Sequence, residues 1–156
     1  MGLAVVKSSD RTSCIDVLHV RPDLESMFLP TGQMLLIDRT LSVLGNRVTC
    51  EMDLADHWVF PMHFPSDPIF PGSLLMEAAG QTIAIWAWEV GLRGKPRLCR
   101  VEARFEHPVL PHHSVVTFHA VVRRRGFVCT GTVSMQAGET QVGEAEMLVL
   151  ILPFKK

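Results

Sequence analysis

The sequence predicts an α+β domain in which an antiparallel sheet wraps around one long central helix. Residues 73–90 are apolar on nearly every face of a helix and rich in strong helix formers, which is typical of a buried helix. Six other runs favour strands, and turn residues separate them. A chain of 156 residues, of which 47% are hydrophobic, is long enough for one such domain over residues 1–156.

The individual elements follow from local signals. The first 32 residues carry the weakest pattern, and Asp23 is a candidate cap for a short helix that ends near Pro30. Pro71 favours the start of the long helix, and Gly91 favours its end. The runs that favour strands are residues 33–44, 46–54, 98–106, 114–124, 127–136 and 141–152. The first two of these runs flank Gly45, a natural hairpin turn.

Composition excludes several functional classes. A net charge of −1, with no recognised nucleic-acid module, argues against a nucleic-acid partner. The apolar residues 147–154 are far fewer than the ~20 needed to cross a bilayer. The N-terminus lacks the features of a signal peptide. We therefore expect a cytoplasmic protein with neither a nucleic-acid nor a membrane partner.

Cysteines and paired histidines give no metal signal. The four cysteines are widely spaced and form no C-x-x-C pair: Cys14, Cys50, Cys99 and Cys129. We expect all four to be reduced and buried as small apolar side chains. His112 and His113 are adjacent and could bind a metal, but such a pair on a loop is more often simply exposed. No metal site is predicted.

Glu77 stands out because the long helix carries only one other ionisable residue, Glu89 near its end. A capping box does not explain it, since such a glutamate lies three residues after the serine and Glu77 lies four after Ser73. Glu77 either reaches solvent at the helix edge or is buried. The helix N-terminus favours the charged carboxylate, whereas burial raises a carboxyl pKa. If burial dominates, Glu77 is a general acid.

A candidate base and candidate oxyanion donors lie just before Glu77. His63 is a general-base candidate because histidine titrates near neutral pH. Three prolines, at positions 65, 68 and 71, predict a stiff, extended segment between His63 and the helix. The first free backbone N–H groups of the helix, those of Gly72 and Ser73, form a site for a developing oxyanion.

This segment resembles the signature of the β-hydroxyacyl-acyl-carrier-protein dehydratases of the FabZ and FabA type. The matching residues are His63, Phe64, Pro65, Pro68, Pro71, Gly72, Glu77, Ala78 and Gln81. The resemblance extends over about residues 24–152. Trp58 and Asp67 are similar to the FabA branch, whereas a glutamate at position 77 is similar to FabZ. Met62 and Ser66 stand where the family usually has glycine.

The resemblance implies a hot-dog fold and a homodimer, or a higher oligomer built from dimers. It implies that His63 of one subunit removes the α-proton of a 3-hydroxyacyl thioester. Glu77 of the other subunit then protonates the departing hydroxyl, and the N–H of Gly72 binds the thioester oxygen. Phe64, Pro71 and Gln81 would support the site. No metal or organic cofactor is implied, because the phosphopantetheine of an acyl carrier protein holds the substrate.

An acidic carrier protein implies a basic docking surface. Arg123, Arg124 and Arg125 end one predicted strand, and Arg100 belongs to a second basic group. That second group comprises Arg93, Lys95, Arg97, Arg100 and Arg104. The alternative is that these residues are simply solvated.

Two choices stay open at this point. Trp86 and Trp88 either line an acyl tunnel or belong to the core. The competing functions are a hot-dog acyl thioesterase, which needs no pair formed by His63 and Glu77, and a non-catalytic subunit that binds acyl carriers.

Overall fold

The computed structural model describes residues 17–155. Its helices are α1 (Arg21–Glu25) and α2 (Gly72–Glu89), with a 3₁₀ turn over Gly32–Met34. Its strands are β1 (His19–Val20), β2 (Arg39–Leu44), β3 (Arg47–Asp53), β4 (Lys95–Phe105), β5 (Val115–Arg125), β6 (Val128–Ala137) and β7 (Thr140–Leu152). They form one antiparallel sheet in the order β1-β2-β3-β5-β6-β7-β4, and α2 packs against β3 through β7. The predicted α+β architecture is confirmed.

Helix α2 is buried along most of its length, as its all-round apolar pattern predicts. It approaches β6 closely at Gly131, where a Cβ atom would lie 2.8 Å from Cδ1 of Ile83. Trp86 is buried, and its indole N–H donates to the carbonyl of Gly45 at 2.9 Å. Trp88 is partly buried and packs against the same core, so Trp86 is a core residue and Trp88 lies at the edge of the core. No helix within residues 17–155 is long and apolar enough to span a bilayer.

Strand β5 shows how the sheet separates its two faces. Val116, Phe118, Ala120 and Val122 are all buried against α2, so the residues between them project from the other side. We call the side that packs on α2 the helix side and the opposite side the outer face.

The first predicted strand is too long. Residues 33–38 form the 3₁₀ turn and an irregular segment, and β2 begins only at Arg39. The physical reason is that the side chain of Gln81 bonds the backbone of this segment at Met34, Leu36 and Ile37, in place of a neighbouring strand.

The short N-terminal helix also differs from its prediction. It begins at Arg21 and ends at Glu25, well before Pro30. Asp23 lies inside its first turn rather than before it, and its carboxylate accepts the backbone N–H of Val20 at 2.9 Å.

The cysteine prediction holds at two positions. Cys50 and Cys129 are buried free thiols, and burial raises the pKa of Cys50 to about 12 and also raises the pKa of Cys129. Cys99 is exposed, so its predicted burial is wrong; it lies at an irregularity of β4, an edge strand of the sheet. Cys14 lies outside the described residues.

Candidate active site

Glu77 lies in the second turn of α2, half-buried, on the wall of a cleft of about 120 Å³. The cleft runs between one face of α2 and the N-terminal end of β4. Its other lining residues are Leu29, Pro30, Gly80, Gln81, Ala84, Pro96, Leu98 and Val149. Glu77 is therefore neither a capping residue nor fully solvated, but a carboxyl group set in a mostly apolar cleft.

Gln81 holds that carboxyl group in place. Its Nε2 donates to Oε1 of Glu77 at 2.9 Å and to the carbonyl of Met34 at 2.6 Å. Its Oε1 accepts the N–H of Leu36 at 2.9 Å. Gln81 is only 3% exposed, so these bonds are shielded from water. The amide thus positions Glu77 and ties α2 to the segment before β2.

His63 is half-buried on the loop before α2, and its ring orientation is set by one hydrogen bond. Its Nδ1 lies 2.7 Å from the carbonyl oxygen of Ile69. Because a carbonyl only accepts, Nδ1 carries the hydrogen, and in the neutral imidazole Nε2 then has a free lone pair. The backbone N–H of His63 donates to Val59 at 2.8 Å, which fixes the loop as well.

The three prolines predicted that the segment after His63 is extended throughout. The structure shows a turn there instead. Phe64 has φ of +55°, and its carbonyl accepts the N–H of Asp67 at 2.8 Å, which closes a turn with Pro65 at its second position. Residues 68–71 form no regular element, and Pro71 has extended backbone angles. The ring of Phe64 lies 4.5 Å from that of His63 and is largely exposed, so it forms part of the histidine's surroundings.

The N-terminus of α2 presents free donors. Pro71 is the N-cap residue, and its carbonyl accepts the N–H groups of Leu74 and Leu75, both at 3.1 Å. Within residues 17–155, the N–H groups of Gly72 and Ser73 donate to no acceptor. Two preorganised donors with a positive helix end behind them suit a developing oxyanion.

Close packing also favours glycine at position 72. A Cβ atom at this position would lie 2.9 Å from the Phe105 ring. We expect Gly72→Ala to lower the free energy of unfolding by about 1 kcal/mol or less, because the partly exposed Phe105 ring must shift. Urea denaturation measures this. Gly72→Ala combined with Phe105→Leu should regain most of the loss, whereas an unchanged stability for Gly72→Ala alone would contradict the close packing.

The start of α2 and the far wall of the Glu77 cleft lie against different parts of β4. Gly72 sits against Phe105, at the C-terminal end, and His63 is bonded to Ile69 just before the helix. The Glu77 cleft is bounded by Pro96 and Leu98, at the N-terminal end. Within one chain, His63 is not among the residues that line the Glu77 cleft.

The basic residues are exposed, and the structure brings some of them together. Arg100 and Arg123 line one shallow groove of about 380 Å³, together with Thr130 and Thr132. This groove lies on the outer face, whereas the Glu77 cleft opens on the helix side. Arg124 and Arg125 follow at the tip of the hairpin between β5 and β6, where Nε of Arg124 donates to the carbonyl of Gly126.

Sequence reasoning missed the apolar walls of the cleft. Pro30, Pro96 and Leu98 come from segments far apart in the chain, and no local pattern marks them. It also missed His57, which packs edge-on against Phe70 with ring centroids 5.0 Å apart. Burial lowers the pKa of His57 below that of a free imidazole. In the sequence, only the position of His57 six residues before His63 pointed to a place near the candidate site.

The described residues form a candidate site on a sheet wrapped around one long helix, and comparison with known proteins identifies the family of the chain. Residues 29–146 match the family model of the FabA-like domain. The chain therefore belongs to the FabA-like domain family.

Solved structures share the fold at low sequence identity. The dehydratase heterocomplex ApeI:P from Xenorhabdus doucetiae matches with a TM-score of 0.67 and 16% identity, over 81% of this chain and 90% of that one. An HP0420 homologue from Helicobacter felis matches at 0.60 and 17%, over 82% and 99%. The thioesterase SAV0944 from Staphylococcus aureus matches at 0.58 and 15%, over 72% and 90%. The predicted hot-dog fold is thereby confirmed.

Proposed function

We propose that the protein is a dehydratase that converts a 3-hydroxyacyl thioester, held on the phosphopantetheine of an acyl carrier protein, into a 2-enoyl thioester and water. Such a step belongs to fatty-acid, polyketide or specialised lipid biosynthesis. The observation that carries the proposal is that an oriented histidine and two free helix N–H groups lie in one segment, while Glu77 lines a mostly apolar cleft that His63 of the same chain does not line.

Pairing of two chains would complete the site. In the part of the chain that the structure describes, strand β4 is an edge of the sheet, with β7 as its neighbour on one side only. If it pairs antiparallel with β4 of a second copy, the Phe105 end of one strand meets the Pro96 end of the other. His63 and Gly72 of one protomer then approach the cleft of Glu77 of the partner subunit. The functional unit is on this proposal a homodimer.

In the proposed mechanism, Nε2 of His63 takes the proton from C2 of the substrate. The N–H of Gly72, with that of Ser73, binds the thioester oxygen as negative charge develops on it. Protonated Glu77, held by Gln81, gives its proton to the hydroxyl leaving C3, so that water departs and a C2–C3 double bond remains. Base, acid and oxyanion donors are all supplied by the chain, so the reaction as proposed requires no metal or organic cofactor.

The lining of the cleft also indicates which acyl chain the substrate carries beyond C3. The helix wall beyond Glu77 consists of Gly80 and Ala84, and the opposite wall of proline, leucine and valine. An apolar cavity of about 150 Å³ holds one benzene ring, so a cleft of about 120 Å³ has room for roughly four to six apolar carbons. We therefore propose an unbranched, apolar acyl chain beyond C3.

Product analysis tests the proposed function against its competitors. The wild-type protein is incubated with a 3-hydroxyacyl pantetheine thioester, and the products are followed by mass spectrometry. A dehydratase yields an enoyl thioester that is lighter by one water. Release of free pantetheine thiol without enoyl product would instead support a thioesterase, in which Glu77 activates water. Neither product would support a non-catalytic subunit that binds acyl carriers.

Carrier docking is proposed at the arginine-rich end of β5. Reversing the charge of Arg123, Arg124 and Arg125 to glutamate should lower kcat/KM for carrier-bound substrate by about tenfold or more, because the acidic carrier is no longer attracted. The same variant should process the free pantetheine thioester at the wild-type rate. Equal turnover of carrier-bound substrate by variant and wild type would place the docking surface elsewhere.

A further inference from the structure

His57 contacts the chain next to both of the carbonyl groups that hold His63 in place. The backbone N–H of His63 donates to the carbonyl of Val59 at 2.8 Å. Its ring nitrogen Nδ1 donates to the carbonyl of Ile69 at 2.7 Å. His57 bonds to Val59 itself and packs against Phe70, the residue after Ile69. A residue in this place can fix the orientation of the imidazole of His63.

The first contact of His57 is a hydrogen bond to Val59. Nδ1 of His57 accepts the backbone N–H of Val59 at 3.3 Å, and within residues 17–155 this N–H has no other acceptor. Val59 is only 3% exposed, so water does not readily replace the bond. The carbonyl of His57 also accepts the N–H of Phe60 at 3.3 Å. His57 therefore sets the turn from which the carbonyl of Val59 reaches His63.

The second contact of His57 is its packing against Phe70. The two ring centroids lie 5.0 Å apart in an edge-on arrangement. The ring of Phe60 completes the cluster, at 5.9 Å from Phe70 and 6.4 Å from His57. Phe70 is buried, and its backbone N–H donates to a carbonyl of the loop before β5 at 2.8 Å. Because Phe70 directly follows Ile69, a shift of its ring moves the carbonyl that bonds Nδ1 of His63.

We propose that His57 is a positioning residue for His63, which it holds in the orientation and tautomer that proton abstraction needs. The catalytic part of this inference rests on the proposed function. Nδ1 of His57 is not a free base, because it already accepts the N–H of Val59, and His57 is not among the residues that line the cleft of Glu77. Burial lowers the pKa of His57, and the neutral imidazole is the form whose Nδ1 accepts a hydrogen bond.

Three substitutions separate the two contacts of His57. His57→Asn keeps an acceptor close to the position of Nδ1 but removes the ring. His57→Phe keeps a ring against Phe70 but removes the acceptor, and His57→Ala removes both. The tautomer of His63 is read from the ring-nitrogen chemical shifts of protein with isotope-labelled histidine, without substrate. We expect the Nδ1–H tautomer in the wild type, a mixture of both tautomers in His57→Ala, and intermediate values in the other two variants.

Turnover should follow the tautomer of His63. His57→Ala should lower kcat by about ten- to a hundredfold and leave KM within about twofold, because a displaced base weakens transition-state stabilisation rather than substrate binding. His57→Asn and His57→Phe should each recover part of this loss. The matched control is His119→Ala, since His119 is an exposed histidine of the outer face whose Nδ1 lies 3.2 Å from the hydroxyl oxygen of Thr49. It should change neither kcat nor the tautomer.

Urea denaturation shows which variants fold, and if His57→Ala does not, the two variants that keep one contact provide the test. An unchanged His63 tautomer in the folded His57 variants would overturn the positioning role. A loss of kcat in His57→Asn as large as in His57→Ala, with the tautomer unchanged, would make His57 a catalytic group and would overturn it too. A wild-type protein that forms no enoyl product, but whose His63 tautomer depends on His57, would overturn the proposed function and leave the positioning role standing.

Discussion

His63→Ala and Glu77→Gln should each lower kcat for enoyl formation by about a hundred- to ten-thousandfold, because each removes one proton-transfer group. Both substitutions keep the local volume close to that of the wild type or smaller, so the fold should persist. Mass spectrometry of the enoyl thioester gives the rate, and urea denaturation verifies folding.

The control variants for this experiment change the same residue types away from the site. His112→Ala and Glu139→Gln lie at exposed positions in other loops and should retain wild-type turnover. Full activity in either His63→Ala or Glu77→Gln would contradict the proposed mechanism.

Gln81→Leu should have the largest effect on stability. The substitution keeps the side chain's size but leaves the carbonyl of Met34 and the N–H of Leu36 without their buried partners. A buried group that loses its partner costs about 1–3 kcal/mol, so we expect a loss of about 2–5 kcal/mol in the free energy of unfolding. Urea denaturation measures this loss.

Measuring kcat distinguishes the role of Gln81 in positioning Glu77 from its role in stability. Where Gln81→Leu is still folded, its kcat should fall further than the folded fraction explains, because Glu77 loses the donor at 2.9 Å that orients it. Gln33→Leu, an exposed amide in the neighbouring turn, should change neither stability nor kcat appreciably. If Gln81→Leu is as stable as Gln33→Leu, the hydrogen bonds of Gln81 contribute little to stability.

The elements that were predicted well are those whose signal is local. Helix α2 was predicted within one residue at either end, because its composition and its flanking Pro71 and Gly91 act within the segment itself. Strand β5 follows from the alternation of apolar and polar residues. These patterns require no knowledge of the neighbouring elements.

The elements that were predicted poorly depend on distant partners. Residues 33–38 looked like a strand, but their backbone is bonded by Gln81, more than forty positions later in the chain. Cys99 looked like a buried thiol, but it lies on an edge strand, a position that only the order of strands determines. The turn at Phe64 adopts a positive φ that is uncommon for an aromatic residue.

The candidate site likewise has one part that the sequence predicts and another that depends on distant segments. The spacing of His63, Gly72 and Glu77 was readable in the sequence, because all three lie in one continuous segment. The cleft walls at Pro96 and Leu98 were not, because they come from β4. In the proposed dimer, this strand joins the two halves of the site between two chains.

Mixing two inactive variants tests the shared site most directly. Folded His63→Ala and Glu77→Gln proteins are combined in equal amounts, allowed to exchange subunits, and assayed for enoyl formation. If each site combines His63 of one protomer with Glu77 of the other, half of the dimers are mixed and each has one intact site. The mixture should then recover about a quarter of wild-type activity. Subunit exchange without any recovery would show that the two residues act within one chain, or not together, and would contradict the account.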